Sequence, residues 1–313
     1  HYYYAGTVAG QGVQMDLAVA GDSLSGSYYY DGIGAPLELA GTLQGQTEFR
    51  LEERDAGRVT GRFLGELAGP TGRPWGALQG RWTSADGKMD LPFALQAVAV
   101  DTVLETLQGE RLDVRTIVPF LLAEPWSRVG DGLRAHATAD HRDFVREGQK
   151  AFLDSEFFNG WGREDHYGIR YWSQELVSLL ETDHFYTGGA HGNTVFAAFN
   201  FARNAGSASR FELRDLFLPG ANFVAALSEY VIADLRRQGA LWVLEAEDSP
   251  LAVTSFAEED LQVFTLSPLG LEFAFAPYEV GPYAQGPFFV TVPFEALRGL
   301  LDPAGPAGSL LAP

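Results

Sequence analysis

The sequence contains no cysteine, and this absence excludes disulfides, thiolate metal sites and a cysteine nucleophile. It has no run of about eighteen apolar residues, so it predicts no membrane-spanning helix. Lysine is scarce, since Lys88 and Lys150 are the only two, and 41 acidic residues outnumber 22 basic ones. The resulting formal net charge of −19 disfavours nucleic acid and anionic lipid as partners and favours basic ones.

Short motifs of common hydrolases are also missing. The sequence has no Gly-x-Ser-x-Gly elbow and no Ser-x-x-Lys pair, so it gives no positive sign of a serine nucleophile. The chain starts at His1, within a strand pattern and without a charged-then-apolar signal segment. We therefore expect a processed or trimmed product, for which a removed export signal is one explanation.

Residues 1–98 consist of short alternating runs separated by glycine turns, as in 13–19, 24–30 and 47–53. Runs of about six residues, with a turn every eight to twelve residues or so, are typical of antiparallel strands. We expect an all-β meander domain over 1–98, closed as a small barrel or packed as a sandwich.

The pattern changes near residue 100, and residues 103–313 mix helical and strand periodicity. Apolar residues recur at helical spacing in Thr138–Phe158, which has Asp140 as a possible N-terminal cap. They recur again in Asn222–Gln238, which Gly239 would end. We expect an α+β domain with an antiparallel sheet and two or three packed helices. Its other predicted elements are a terminal helix at 294–301 and strands at 111–121, 167–180, 194–201, 261–266, 271–275 and 288–292.

A glycine-rich turn at 182–193 is the first candidate site. Glycines beside His191 let the backbone take positive φ and hold the imidazole at a loop tip, where a ligand could meet it. In the functional interpretation His191 is a ligand, acid or base, whereas in the structural one its ring nitrogens bond backbone groups and fix the turn. The candidate binding residues in this turn are Tyr186, Gly188, Gly189, His191 and Asn193.

A second candidate is the segment Pro277–Pro287, which combines aromatic side chains with several glycines and prolines. Tyr278, Glu279 and Tyr283 are its candidate binding residues, because rigid aromatic loops often make contacts. The structural alternative is a loop that connects two strands and packs its tyrosines on the sheet.

Two groups of residues superficially resemble metal sites. His136 and His141 are five positions apart, which on a helix separates the rings by about 140°, so they do not share a face. The acidic runs 245–248 and 258–260 lack the spaced oxygen ligands and central glycine of a calcium-binding loop. The sequence therefore predicts neither a metal nor another cofactor.

Several separated motifs in the second half of the chain occur in a familiar order. They are Tyr-Thr-Gly-Gly-Ala-His at 186–191, Asn-Phe at 200–201, Leu-Arg-Asp-Leu-Phe at 213–217 and Pro-Tyr-Glu-Val-Gly-Pro-Tyr-Ala at 277–284. With them, residues 103–300 resemble a pair of bacterial modules, the domains of unknown function 4163 and 3298. These modules precede PdaC-type peptidoglycan deacetylase domains and form the outer part of RsiV-type anti-sigma factors.

The resemblance implies an extracytoplasmic location, whether periplasmic, secreted or anchored to the envelope through a removed N-terminal segment. It also implies recognition without catalysis, since the module of RsiV-type proteins binds lysozyme, a small basic enzyme. We expect a module that binds a cell-wall glycan such as peptidoglycan, or a basic wall-degrading enzyme such as lysozyme. The alternative is a cell-wall or glycan hydrolase in which His191 shares acid–base work with Asp183 or Glu279, which must then lie close to it.

Overall fold

A computed structural model of the chain describes residues 1–45, 47–68, 76–109, 111–154, 160–204 and 206–311. The chain divides into two compact units. The first comprises His1–Asp101 with Phe120–Ser127, and the second comprises Thr102–Pro119 with Arg128–Pro313. Among the described helices, none is both long enough and apolar enough to cross a membrane.

The first unit contains antiparallel strands that follow one another along the chain. Each strand pairs with the next, and the first also pairs with the eighth, in a register that runs from Tyr2↔Val100 to Val8↔Phe93. Eight strands of the described chain thus close a barrel, which confirms the predicted all-β meander. Their bounds are β1 (Tyr2–Val8), β2 (Gln11–Ala20), β3 (Ser23–Tyr30), β4 (Leu37–Gln44), β5 (Glu48–Asp55), β6 (Arg58–Ala68), β7 (Ala77–Ser84) and β8 (Asp90–Leu107).

Alternate residues of these strands fill the barrel interior. The Tyr28 and Phe63 rings meet edge to face there, with centroids 5.3 Å apart. Glu53 also points inward and is only 3% exposed. Its carboxylate accepts hydrogen bonds from Tyr28 (2.5 Å), Thr60 (2.5 Å) and Trp82 (2.6 Å), so the barrel satisfies this buried charge internally.

The remaining elements mix sheets and helices, which confirms the predicted α+β class. β9 and β10 are parallel neighbours, β10 to β13 are antiparallel, and β14 to β16 form a separate antiparallel sheet. Short 3-10 helices lie at Leu213–Leu216, Glu258–Leu261, Tyr283–Gln285, Phe294–Leu297 and Gly308–Leu310. The other bounds are β9 (Leu112–Leu121), α1 (Trp126–Asp154), β10 (Trp161–Trp172), β11 (Leu176–Tyr186), β12 (Asn193–Asn204), β13 (Ser207–Arg210), α2 (Phe223–Gln238), α3 (Leu241–Leu244), β14 (Phe264–Ser267), β15 (Gly270–Phe275) and β16 (Phe288–Val292).

Strands β10 to β12 are covered on both faces. On one face α1 lies against them, with His136 of α1 near the Phe199 ring of β12. On the other face the buried Ser178 and Asn200 bond each other and the backbone of β14. Because both faces are covered, the short run 176–181 of β11 is buried throughout.

Four predicted elements differ from the structure. The predicted strand at 261–266 begins only at Phe264, because Leu261 ends a 3-10 helix. The predicted helix at 138–158 begins at Trp126 instead, so Asp140 lies inside α1 and is not its cap, while 155–158 lie outside the described residues. The predicted strand at 167–180 is wrong, since it joins the end of β10 to the start of β11. The predicted terminal helix at 294–301 is a 3-10 turn that ends at Leu297.

Candidate functional site

The glycine-rich turn joins β11 to β12, which are adjacent antiparallel strands as predicted. Gly188 and Gly189 have φ of 99° and 103°, in the region that side-chain-bearing residues rarely adopt. The Tyr186 hydroxyl donates to the Gly189 carbonyl at 3.0 Å and so ties the start of the turn to its middle. His191 follows on the exposed part of the turn.

The second candidate loop joins β15 to β16. Tyr278 has a φ of 73°, an unfavourable conformation for a bulky residue, and its amide donates to the Gly281 carbonyl at 3.0 Å. The Glu279 carboxylate accepts a hydrogen bond from the Ala276 amide at 2.7 Å. These bonds hold a tight turn whose Tyr278 side chain stays 50% exposed.

The two loops meet although Tyr278 and His191 are 87 positions apart. The His191 and Tyr283 rings stack with centroids 3.7 Å apart and planes 19° apart. The Tyr278 ring lies beside both, at 6.3 Å from His191 and 5.9 Å from Tyr283. We call His191, Tyr278 and Tyr283 the aromatic triad.

Hydrogen bonds fix the orientation of the His191 ring. Its Nδ1 lies 2.7 Å from the Gly192 carbonyl, which can only accept, so Nδ1 donates. The other ring nitrogen, Nε2, faces the Tyr278 hydroxyl at 3.2 Å and accepts its hydrogen in the neutral ring. His191 therefore fixes the turn through Nδ1 while its side chain remains exposed.

Neither carboxylate proposed as a partner of His191 contacts it. Asp183 accepts a hydrogen bond from Arg163 at 2.8 Å, and Glu279 is bound to its own turn. Across the described ranges, no ion pair or hydrogen bond joins a carboxylate to His191. The geometry of this site therefore gives no support to shared acid–base work.

Asn193, the last candidate of the turn, lies at the start of β12 opposite Phe185 of β11. Its side-chain carbonyl oxygen is buried and has no hydrogen-bond partner within the described part of the chain. The side chain does not belong to the aromatic triad.

Comparison with known proteins finds a similarity within the second unit. Residues 214–295 match the model of a family described as "Protein of unknown function (DUF3298)". These residues are similar to that family, and we call them the DUF3298 segment. The match confirms the 3298 module inferred from the sequence motifs, within these residues.

Two solved structures of this family resemble the chain weakly. A DUF3298 family member from Bacteroides fragilis NCTC 9343 is 16% identical, with 68% of this chain and 97% of that chain covered and a TM-score of 0.43. A DUF3298 family protein from Pseudomonas aeruginosa PAO1 is 18% identical, with 66% and 93% covered and a TM-score of 0.45. No curated protein sequence matches the chain.

The aromatic triad combines residues from inside and outside the DUF3298 segment. Tyr278 and Tyr283 lie within it, whereas His191 precedes it in the β11–β12 turn. The surface is therefore built by the DUF3298 segment together with the sheet on which it packs.

A further group of polar side chains was not predicted from the sequence. Asp140, Asp165 and Asp183 lie around the Arg163 guanidinium, between α1 and the sheet, and Glu181 lies beside Asp140 and Asp165. We call these four residues the carboxylate cluster. Arg163 pairs with Asp140 and bonds Asp183 at 2.8 Å, but its nearest approach to Asp165 is 3.7 Å. The cluster precedes the DUF3298 segment in the chain.

Burial shifts the pKa values of three carboxyl groups in this cluster and of Arg163. Burial, followed by the charge of Glu181, raises the pKa of Asp165, and burial likewise raises the pKa values of Glu181 and Asp183. For Arg163, burial alone would lower the pKa, but the hydrogen bonds and charges of Asp183, Asp140 and Asp165 together outweigh burial and raise it. The guanidinium therefore stays charged, whereas Asp165, Glu181 and Asp183 lose their protons less readily than exposed carboxyl groups do.

The two histidines of α1 lie in different surroundings. His141 is 6% exposed and its ring nitrogens contact Thr106 at 2.9 Å and Thr116 at 3.1 Å. Burial, followed by the charge of Arg163, lowers the pKa of His141. His136 is exposed and lies over the Phe199 ring. His141 is therefore held by two hydroxyls, inside the fold.

Proposed function

We propose that this chain is a non-catalytic, extracytoplasmic recognition module that binds a cell-wall glycan through the aromatic triad. The observation that carries the proposal is the stack of His191 on Tyr283 beside the half-exposed Tyr278. Aromatic rings present apolar faces of fixed orientation, and the C–H faces of sugar rings pack well on such surfaces. The extracytoplasmic location rests on the resemblance of 103–300 to modules of the bacterial cell envelope.

Rigidity supports this role. The left-handed backbone of Gly188, Gly189 and Tyr278 and the hydrogen bonds within both loops hold the rings in place before any ligand arrives. A surface that is already ordered loses less conformational entropy on binding, so a modest contact area can give useful affinity.

The bonds of His191 support recognition rather than turnover. A general acid or base needs a free nitrogen and a group that tunes it, whereas both nitrogens of His191 face groups of the same surface. The hydrolase alternative would need a carboxylate that the site does not offer among the described residues.

A basic protein such as lysozyme is the second candidate ligand, because the net charge of −19 attracts basic proteins over distances comparable to the Debye length. Tyrosines are also frequent at the centres of protein interfaces. The two ligand classes differ in their response to salt, since salt screens the long-range attraction of a basic protein to the acidic chain but has little effect on ring stacking.

The test is calorimetric titration of the chain with soluble peptidoglycan fragments and with a c-type lysozyme, at low and moderate salt. We expect saturable binding of the fragments that changes little with salt, and a roughly tenfold loss of affinity in His191→Ala and Tyr283→Ala, since each removes one stacked ring. His184→Ala is the matched control, because His184 is an exposed histidine of the same hairpin outside the triad.

Binding of lysozyme alone, weakened by salt and by the same two changes, would assign the basic protein as ligand instead. If neither ligand binds, or if both triad variants bind as tightly as the wild type while circular dichroism shows them folded, the recognition proposal fails.

A further inference from the structure

The carboxylate cluster brings an excess of negative charge into a buried place. Within the described residues, Arg163 is the guanidinium that pairs with Asp140, Asp165 and Asp183, and Glu181 takes a hydrogen bond from the Tyr167 hydroxyl at 2.8 Å. One guanidinium cannot neutralise four carboxylates. Buried carboxylates without a counter-charge are costly, so this arrangement calls for a further positive charge or for protons.

Asp165 shows where the further charge belongs. Its side chain is fully buried, at 0% exposure, and neither carboxylate oxygen has a hydrogen-bond partner in the ranges that the structure describes. By contrast, Asp183 is bonded by Arg163, and Glu181 by Tyr167. A buried and unsatisfied carboxylate that faces other carboxylates is the environment expected of a cation ligand.

The register of the strands explains why these groups converge. Asp165 and Asp183 are directly opposite each other on β10 and β11, and Glu181 is two positions along on the same face. Helix α1 crosses this face and supplies Asp140, whose side chain is 42% exposed. The cluster therefore has a buried floor and one ligand at the rim, through which an ion and its waters could enter.

We propose that Asp140, Asp165 and Glu181 bind a hard divalent cation of the calcium type. One oxygen of each residue lies within 4.8 Å of one oxygen of each of the others. Ligands at about 2.4 Å from a calcium ion are at most about 5 Å apart, so the three oxygens fit one coordination sphere with little movement. A donor set made only of carboxylate oxygens selects calcium, magnesium or manganese over softer ions.

Arg163 and Tyr167 position the ligands in this arrangement. Arg163 binds Asp140 and Asp183 on one side, so its single positive charge and the two charges of the ion together offset three of the four carboxylate charges. Tyr167 holds Glu181 through its hydroxyl and is itself fully buried. Waters entering beside Asp140 would complete the coordination sphere of calcium, which has about six to eight oxygen ligands.

The experiment is calorimetric titration of the chelator-treated full chain with Ca²⁺, Mg²⁺ and Mn²⁺ separately. We expect saturable binding of at least one of these ions at one site per chain, and a loss of affinity of at least about tenfold in Asp165→Asn and Asp140→Asn. Asp143→Asn is the matched control, because Asp143 lies one turn along α1, is exposed and pairs with Arg146 outside the cluster.

Terbium luminescence gives a second measurement that does not depend on heat of binding. Tb³⁺ occupies calcium sites and is excited through a nearby tyrosine, and Tyr167 bonds the proposed ligand Glu181. We expect luminescence in the wild type and in Asp143→Asn, displaced by Ca²⁺, and its loss in Asp140→Asn. Because Asp140 is at the partly exposed rim, its variant tests the proposal even if Asp165→Asn fails to fold.

Absence of saturable binding by all three ions in the folded wild type would overturn the proposal, and protons would then be the neutralising charge. Binding that is equally strong in Asp140→Asn and in the wild type would overturn it as well, since the ion would lie elsewhere.

Discussion

Glu53 and Asp165 are two buried carboxylates in different surroundings. Glu53 receives hydrogen bonds from Tyr28, Thr60 and Trp82, and it is 3% exposed. Asp165 is more deeply buried and receives no hydrogen bond from the described residues. The first carboxylate is a structural part of the barrel core, whereas the second is left without a hydrogen-bond donor among the described residues.

The role of Glu53 predicts a large effect of Glu53→Leu on stability. The substitution leaves the hydroxyls of Tyr28 and Thr60 and the indole N–H of Trp82 without their acceptor, at roughly 1 kcal/mol or more for each donor. We expect the free energy of unfolding to fall by about 3 kcal/mol in denaturant titrations followed by tryptophan fluorescence. Glu38→Leu, on an exposed position of β4, is the control. A loss below about 1 kcal/mol would contradict this account.

At the scale of elements, helix α2 is easier to predict from the sequence than helix α1. Apolar residues such as Leu227, Val231 and Leu235 mark one face of α2, and Gly239 ends the helix as predicted. The first three turns of α1 were not predicted. They bury Trp126 and Leu133, but Gly130 and Gly132 are poor helix formers and interrupt the apolar spacing. Similarly, the turn at Ser173–Glu175 between β10 and β11 contains neither glycine nor proline, so the sequence does not indicate it.

The left-handed backbone at the end of α2 predicts that a side chain there lowers stability. Gly239 has φ of 82°, its amide donates to Arg236 and Leu235, and open space surrounds the position of a Cβ. We expect Gly239→Ala to lower the free energy of unfolding by about 1 kcal/mol through backbone strain alone.

Gly239→Asn separates strain from packing in the same measurement, because asparagine tolerates the left-handed region better than alanine. We expect its loss of stability to be smaller than that of Gly239→Ala. Equal losses in thermal and denaturant unfolding would show that strain does not decide the effect.

At the scale of the whole molecule, the excess of acidic residues affects the stability of the fold. A net charge of −19 on 313 residues repels itself, and this repulsion favours expanded states over the folded one. Raising salt from about 10 mM to about 150 mM shortens the Debye length from about 30 Å to about 8 Å, which weakens the repulsion.

We therefore expect the midpoint of thermal unfolding to rise by a few degrees between these two salt concentrations, as measured by circular dichroism. A chelator in all samples removes any contribution from a bound divalent cation. Sodium and potassium chloride should act equally, because screening depends on ionic strength and not on ion identity. A midpoint that stays constant or falls with salt would show that self-repulsion contributes little to the free energy of unfolding.

The sequence by itself determined the local features of this protein. Period-two runs and glycine turns predicted the barrel strands, helical periodicity and a terminal glycine predicted α2, and the lack of cysteine excluded thiol chemistry. It also singled out the two loops that form the aromatic triad. These signals are readable because each depends on residues close together in the chain.

Only the tertiary structure decided which distant residues meet. It placed His191 against Tyr283 and Tyr278, and it gathered carboxylates from α1, β10 and β11 around Arg163. Such meetings depend on strand register and helix placement, where a shift of one residue would turn every side chain to the opposite face. No local pattern in the sequence carries that information.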